Sequence, residues 1–168
     1  MAGRVWWVGG SRALPAGGAA VVGQLAAALS SAPGASAIVG SPAGPRGGVG
    51  SACAAWVSAW PGPSLTVVSP SFAGRGSLAA RAAVAVRQAA SSGAAGAVAV
   101  ISSPASAGSL AELALAARLG VPLVVAVAVG FSGPPSPLAG RAGSWAPARL
   151  AGVACWRWAP AASQPPLL

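Results

Sequence analysis

The chain has 168 residues, enough for one domain with a buried core and too few for two comfortable ones. It carries ten basic residues, all arginine, against a single acidic residue, Glu112, and it contains no histidine, aspartate or lysine. This composition excludes Ser-His-Asp triads, Cys-His pairs, Schiff-base lysines and carboxylate metal cages, and we expect neither a metal nor a cofactor.

The arginine excess has two explanations. The forked, permanently charged guanidinium suits phosphate and other anions, whereas a GC-rich codon bias would enrich Arg, Ala, Gly and Pro together.

Cys53 and Cys155 form no CxxC motif and no disulfide framework, which favours a reducing cytoplasm. The most apolar run, residues 121–129, is much shorter than the roughly 20 residues of a membrane span. We therefore expect a soluble, cytoplasmic protein.

Apolar strand-like runs alternate with Ala- and Leu-rich helical runs along the chain. Predicted strands cover residues 5–8, 35–40, 65–69, 97–102 and 123–129, and predicted helices cover residues 17–32, 51–60, 77–91 and 109–119. Continuously apolar strands separated by helices are typical of a parallel sheet covered on both faces. The sequence therefore predicts an α/β fold over residues 1–130, with a Rossmann-like, doubly wound parallel sheet of about five strands.

Residues 131–168 are rich in Pro, Ser and Trp, show no helix or strand period, and are predicted to form a tail. Three tryptophans there alternate with three arginines: Trp145, Trp156 and Trp158 with Arg141, Arg149 and Arg157. These indoles either cover the domain edge, which we favour, or stack on nucleobases.

Four short Gly- or Ser-rich loops follow the first four predicted strands, at residues 9–12, 44–50, 69–77 and 102–109. Parallel strands bring such loops to one sheet edge, where helix N-termini bind anions. Glycine lets the backbone approach a phosphate, and Arg12, Arg46 and Arg75 can neutralise it. None of the loops matches a P-loop or GxGxxG, so a Walker ATPase and a standard dinucleotide domain are not supported.

Segments "GGSR" (9–12), "GSLAARAAVAVRQAA" (76–90) and "SAGSLAELALAARLGVPLVV" (106–125), together with the Gly-rich loop after the second strand, resemble the SLOG superfamily of Rossmann-like nucleotide-binding domains. That superfamily includes the LOG (Lonely Guy) phosphoribohydrolases and the DNA-processing protein A family. The resemblance covers residues 4–129 and is stronger in the order and spacing of segments than in residue identity.

LOG enzymes carry a PGGxGTxxE motif, in which the Thr helps to bind phosphate and the Glu takes part in cleaving the N-glycosidic bond. Gly108, Ser109 and Glu112 occupy the GTxxE positions here, while Ala105 and Ser106 replace the two leading glycines. The resemblance also implies a role for an arginine on the helix after strand three, for which Arg81 is the nearest match and Arg87 the second. The family's acidic residue after the second loop is missing, since Gly50 is followed by Ser51 and Ala52.

Glu112 has two interpretations at this stage. It either relays a proton or contacts a ribose hydroxyl, or it belongs to a capping box in which Ser109 caps the helix. Both roles are compatible with one another.

The sequence thus predicts a domain that binds a nucleotide or nucleotide-derived phosphate, without catalysis. The predicted ligand contacts are Gly9, Gly10, Ser11, Arg12, Gly48, Gly50, Gly108 and Ser109, and Glu112 and Arg81 are the candidate catalytic residues. The alternatives are a LOG-like nucleoside monophosphate phosphoribohydrolase and a single-stranded nucleic acid binder. A homodimer is expected, through exposed Trp56, Trp60 and Trp145.

Overall fold

A computed structural model describes residues 3–42, 48–69 and 83–162. Its strands are β1 (Val5–Gly10), β2 (Ser36–Gly40), β3 (Leu65–Val68), β4 (Gly96–Ile101), β5 (Leu123–Ala128), β6 (Gly143–Leu150) and β7 (Val153–Pro160). Its helices within the described ranges are α1 (Gly18–Ser30), α2 (Ala52–Ala59), α3 (Val84–Ser91) and α4 (Ala107–Arg118). The α/β class predicted from the sequence is confirmed.

One sheet holds all seven of these strands, in the order β3-β2-β1-β4-β5-β7-β6. The first five are parallel to one another, and β1 lies between β2 and β4: Trp7 pairs with Ile38 on one side and with Ala97 on the other. The chain therefore builds outward from β1 to β3 and then crosses back to place β4 on the other side of β1.

The two faces of the sheet carry separate hydrophobic clusters. Trp6 and Trp7 are consecutive residues of β1, so their side chains point to opposite faces. Trp6 packs in a cluster with buried residues of α1 and α2, such as Leu25. Trp7 packs in the other cluster, with buried residues of α3 and α4 such as Leu113. Helices thus shield both faces of the parallel strands from water, as the unbroken apolar runs require.

The predicted five-strand parallel sheet is wrong in number and in kind, because the observed sheet has seven strands and is mixed. Strands β6 and β7 form an antiparallel hairpin, and β7 pairs antiparallel with β5 at Val125↔Arg157 and Ala126↔Trp156. These strands lie where the sequence predicted a tail without regular structure. Their side chains alternate poorly between buried and exposed, and Pro147 lies within β6. Proline is tolerated there because β6 is the outermost strand.

The described helices are short. The longest of them, α1, has 13 residues, fewer than the roughly 20 that a bilayer-spanning helix needs. Within the described ranges, no helix combines the length and apolar character required to cross a membrane.

Candidate functional site

An open cleft lies at the carboxyl edge of the sheet, where the chain reverses direction between β1 and β4. Its volume is about 270 Å³. The residues that line it come from the loops after these two strands and from the start of α4: Ser11, Arg12, Ala13, Ser102, Ser106, Ala107 and Gly108. We call this the crossover cleft. In open parallel sheets, ligands bind at the strand ends where the order reverses, so the cleft occupies the expected position for a ligand.

Gly10 brings the end of β1 close to β4 beneath this cleft. Its φ of 146° is one that residues with a side chain rarely adopt, and a Cβ added there would clash with the main-chain oxygen of Val100. The next residue, Ser11, donates its main-chain N–H to that same oxygen over 3.0 Å. Glycine is therefore required for β1 and β4 to meet at this point. The predicted role of Gly10 as a ligand contact stays a prediction.

Four serines form a chain of hydrogen bonds along the cleft, two through their hydroxyls and two through their main chain. The main-chain N–H of Ser102 donates to Ser11 Oγ over 3.0 Å, Ser11 Oγ lies 3.2 Å from Ser106 Oγ, and Ser106 Oγ donates to the main-chain oxygen of Ser103 over 2.9 Å. A hydroxyl has one hydrogen and a carbonyl has none. Because Ser106 gives its hydrogen to Ser103, Ser11 must be the donor to Ser106. The direction of every hydrogen in the chain follows.

The start of α4 differs from the predicted capping box. The helix begins at Ala107, its N-cap is Ser106, and Ser109 lies inside the first turn instead of capping it. The Ser106 side chain makes no capping hydrogen bond, since its hydroxyl is engaged with Ser11 and Ser103. The first N–H groups of a helix have no partner inside the helix. Ser106 therefore does not cap the α4 terminus, where Ala107 and Gly108 line the cleft.

Glu112 lies in the second turn of α4, so the capping-box interpretation is wrong for it too. Its side chain is 8% exposed, and Ser109 on the same side of the helix is 3% exposed. Glu112 is four residues beyond Gly108, about 6 Å along the helix axis. Neither it nor Ser109 belongs to the described lining of the crossover cleft.

A second cavity, of about 450 Å³, lies beside the crossover cleft between the starts of α1 and α2. Its lining is almost entirely small and uncharged: Leu14, Pro15, Ala16, Gly17, Ala19, Gly50, Ser51, Ala54, Ala55 and Ser58. Gly50, predicted as a phosphate contact, faces this cavity and accepts a hydrogen bond from the Leu14 N–H at 2.9 Å. Gly48 is exposed and lines neither cavity.

Gly9 is buried within β1 and does not line the cleft. Its main-chain oxygen accepts a hydrogen bond from Trp56 Nε1. Of the eight predicted ligand contacts, the structure brings Ser11, Arg12 and Gly108 together at the cleft, with Gly10 directly below them. Arg46, Arg75 and Arg81 lie outside the described residues.

The chain was compared with known proteins in three ways. No family model, no curated protein and no solved structure matches it. The resemblance to the SLOG superfamily therefore stays a prediction from the sequence.

Electrostatically, the crossover cleft is cationic. Arg12 is exposed at its edge, and the only carboxylate side chain of the whole sequence, Glu112, is buried in α4. Sequence reasoning missed Ser102 and Ser106 as individual site residues. The sequence pattern that could have identified them is a small hydroxyl residue directly after a strand, which is Ser102, and another directly before a helix, which is Ser106.

The tryptophans predicted to be exposed are not. Trp56 is fully buried and Trp60 is 5% exposed, with its Nε1 donating to Ser64 Oγ over 3.0 Å. In the C-terminal hairpin, Trp158 is buried and Trp145 is half-buried against it, with ring centroids 5.2 Å apart. These two indoles cover the core at the sheet edge. The prediction of a homodimer was based on an exposed aromatic surface, and these tryptophans do not form one.

Proposed function

We propose that the protein binds the phosphate group of a nucleotide or nucleotide-derived molecule in the crossover cleft, without catalysing a reaction. The observation that carries this proposal is the coincidence of an open cleft with the reversal of strand order between β1 and β4. The loops after both strands and the start of α4 contribute to the same cleft, so one ligand can contact all three.

The groups lining the cleft suit an anion. The α4 terminus offers main-chain N–H groups and the positive end of a helix dipole at Ala107 and Gly108. Arg12 adds a permanent positive charge at the edge. A volume of about 270 Å³ is slightly below the range of pockets that enclose a drug-sized molecule. It suits a phosphate with its adjoining sugar, and the remainder of a nucleotide would extend outward.

Binding is favoured over hydrolysis by the chemistry of the described lining. Arginine does not give up its proton near neutral pH, and unassisted serines are weak nucleophiles. The LOG-like alternative requires the Glu112 carboxylate to reach a glycosidic bond. That side chain lies one helical turn beyond Gly108 and is buried.

Calorimetric titration with the four common nucleoside monophosphates tests the proposal. We expect at least one of them to bind, and we expect Arg12→Gln to weaken binding by about tenfold, since a hydrogen bond to a charged group contributes about 1.5 kcal/mol. Arg141→Gln is the matched control: it removes the same charge from an exposed residue that does not line the cleft. Its affinity should equal that of the wild type.

Three outcomes would contradict the proposal. Release of free base from the monophosphate would establish the hydrolase alternative. Binding only to a single-stranded oligonucleotide, with affinity that falls steeply as salt rises, would establish nucleic acid as the ligand. Equal losses in the Arg12 and Arg141 variants would show that net charge acts alone and that the cleft does not bind the ligand.

A further inference from the structure

The serine chain of the crossover cleft points its hydrogens away from any ligand. Ser11 donates to Ser106, and Ser106 donates to the Ser103 carbonyl. Each hydroxyl oxygen also accepts one hydrogen bond, Ser11 from the Ser102 N–H and Ser106 from Ser11. A serine hydroxyl has one hydrogen and two lone pairs. What each of these two serines has left for a ligand is therefore a single lone pair.

A lone pair accepts hydrogen bonds and repels a fully ionised oxygen. A ligand oxygen beside Ser11 and Ser106 must then carry a hydrogen. The other oxygens of the ligand accept hydrogen bonds from the N–H groups of α4 and are attracted by the charge of Arg12. We infer that the crossover cleft selects the singly protonated form of a phosphate monoester over the dianion and over sulfate. This inference rests on the proposed function and names the ionisation state that the site prefers.

Binding of a dianion requires the chain to rearrange. Ser11 is only 8% exposed, and its hydroxyl joins the loop after β1 to the loop after β4. Turning its hydrogen, or that of Ser106, toward a ligand breaks one hydrogen bond of the chain. The expected loss of affinity is about two- to tenfold, the usual net contribution of one such bond.

The side chains around the cleft include few other groups that could make the affinity for a ligand depend on pH. The sequence contains no histidine. Within the described parts of β1, β4, α2 and α4, which pack around the cleft, the charged side chains are Glu112 and Arg118. Glu112 is thus the one side chain of these elements whose charge can change below neutral pH, and it provides a control.

Calorimetric titration with methyl phosphate and with sulfate, at about pH 5 and about pH 8, tests the inference, because the second pKa of a phosphate monoester is about 6. We expect the affinity for methyl phosphate to fall by about fivefold as the pH rises, and sulfate to bind as weakly as the methyl phosphate dianion at both pH values. An ordinary cationic site gives the opposite trend, since it attracts the dianion more strongly.

Two variants show whether the pH dependence of binding arises from the serine hydrogen bonds or from Glu112. Ser106→Ala frees the Ser11 hydrogen to donate to a ligand, so the preference for the protonated form should disappear. Glu112→Gln should keep the fivefold fall, because the titrating proton belongs to the ligand.

Affinity that rises with pH, sulfate binding as tight as methyl phosphate at the lower pH, or a fall that Glu112→Gln abolishes would each overturn the inference while leaving anion binding intact. If neither anion binds wild-type protein at either pH, the proposed function fails together with the inference.

Discussion

The indole nitrogen of Trp56 donates a hydrogen bond to the main-chain oxygen of Gly9, with 3.1 Å between the two heavy atoms. Trp56 belongs to α2 and Gly9 to β1, so this bond fastens a helix to the strand that ends at the crossover cleft. The two residues are 47 positions apart in the chain. Trp7, in contrast, buries an indole N–H that has no hydrogen-bond partner among the described residues.

Trp56 and Trp7 form a matched pair for measuring how much the Trp56–Gly9 hydrogen bond contributes to stability. Both are at most 1% exposed, so Trp56→Phe and Trp7→Phe remove similar buried surface. Trp56→Phe loses a hydrogen bond in addition, whereas Trp7→Phe removes a donor that is costly to bury unpaired. We expect Trp56→Phe to lower the free energy of unfolding by about 1–2 kcal/mol more than Trp7→Phe, measured by urea denaturation. Equal losses would show that the Trp56–Gly9 bond contributes no net stability.

Gly10→Ala should be strongly destabilising. The added Cβ would clash with the Val100 main-chain oxygen, and the alanine would have to adopt a φ of 146°. We expect a loss of more than about 2 kcal/mol in unfolding free energy, because neither strand can move without breaking the sheet. Gly23→Ala, inside α1 with no neighbouring atom within 4 Å of its added Cβ, should instead stabilise the protein by about 0.5–1 kcal/mol. A Gly10 variant as stable as the wild type would contradict the described junction of β1 and β4.

The C-terminal hairpin should contribute to the stability of the whole domain. Trp158 is 4% exposed within the core cluster that includes α3 and α4, so Trp158→Ala is expected to cost about 3–5 kcal/mol. The adjacent Arg157 is exposed, and Arg157→Ala should change the unfolding free energy by less than about 0.5 kcal/mol. If Trp158→Ala is as mild as Arg157→Ala in urea denaturation, the hairpin is not part of the cooperative unit.

Cys155 should reduce stability at alkaline pH. Burial raises the pKa of its thiol, with a smaller opposing effect from a hydrogen bond to the backbone at Leu150. The unfolded chain therefore loses this proton at lower pH than the folded protein does. The contribution of Cys155 to stability is full below the unfolded thiol pKa of about 8.5 and falls as the pH rises above it.

Cys155→Ala should accordingly flatten the decline in unfolding free energy above about pH 8.5. The sequence has no tyrosine or lysine to mask the effect. Urea denaturation of the variant and of the wild type at several alkaline pH values measures it. Parallel declines in the two proteins would contradict the described burial of Cys155.

Local patterns in the sequence were enough to place the first five strands and, within the described residues, the helices between them. The part of the predicted helix 77–91 that precedes residue 83 lies outside those residues. The predicted strand over residues 123–129 corresponds to β5 (Leu123–Ala128), and the predicted helix over 51–60 corresponds to α2 (Ala52–Ala59). These elements are buried on whole faces, so their apolar runs are long enough to recognise. The start of α4 was predicted two residues late, because "SLAE" fits a capping box locally whereas Ser106 is the actual N-cap.

The candidate site was predictable only in part. Ser11, Arg12 and Gly108 could be selected because small residues and a cation follow the ends of predicted strands. The exposure of Trp56 and Trp60 could not be judged, since an indole on a short helix gives no indication of which neighbours cover it. Strands β6 and β7 were not predicted because an edge hairpin is half-exposed and tolerates Pro147 and arginines that a central strand would exclude.

The sequence by itself determined the α/β alternation, the shortage of titratable groups and the cationic balance, because these follow from composition and from residue periods within single elements. Only the tertiary structure decided which loops share a cleft and in which direction the hydroxyls of Ser11 and Ser106 donate. Strand order and hydrogen-bond direction depend on contacts between residues about 90 positions apart. No local pattern of side chains encodes such contacts.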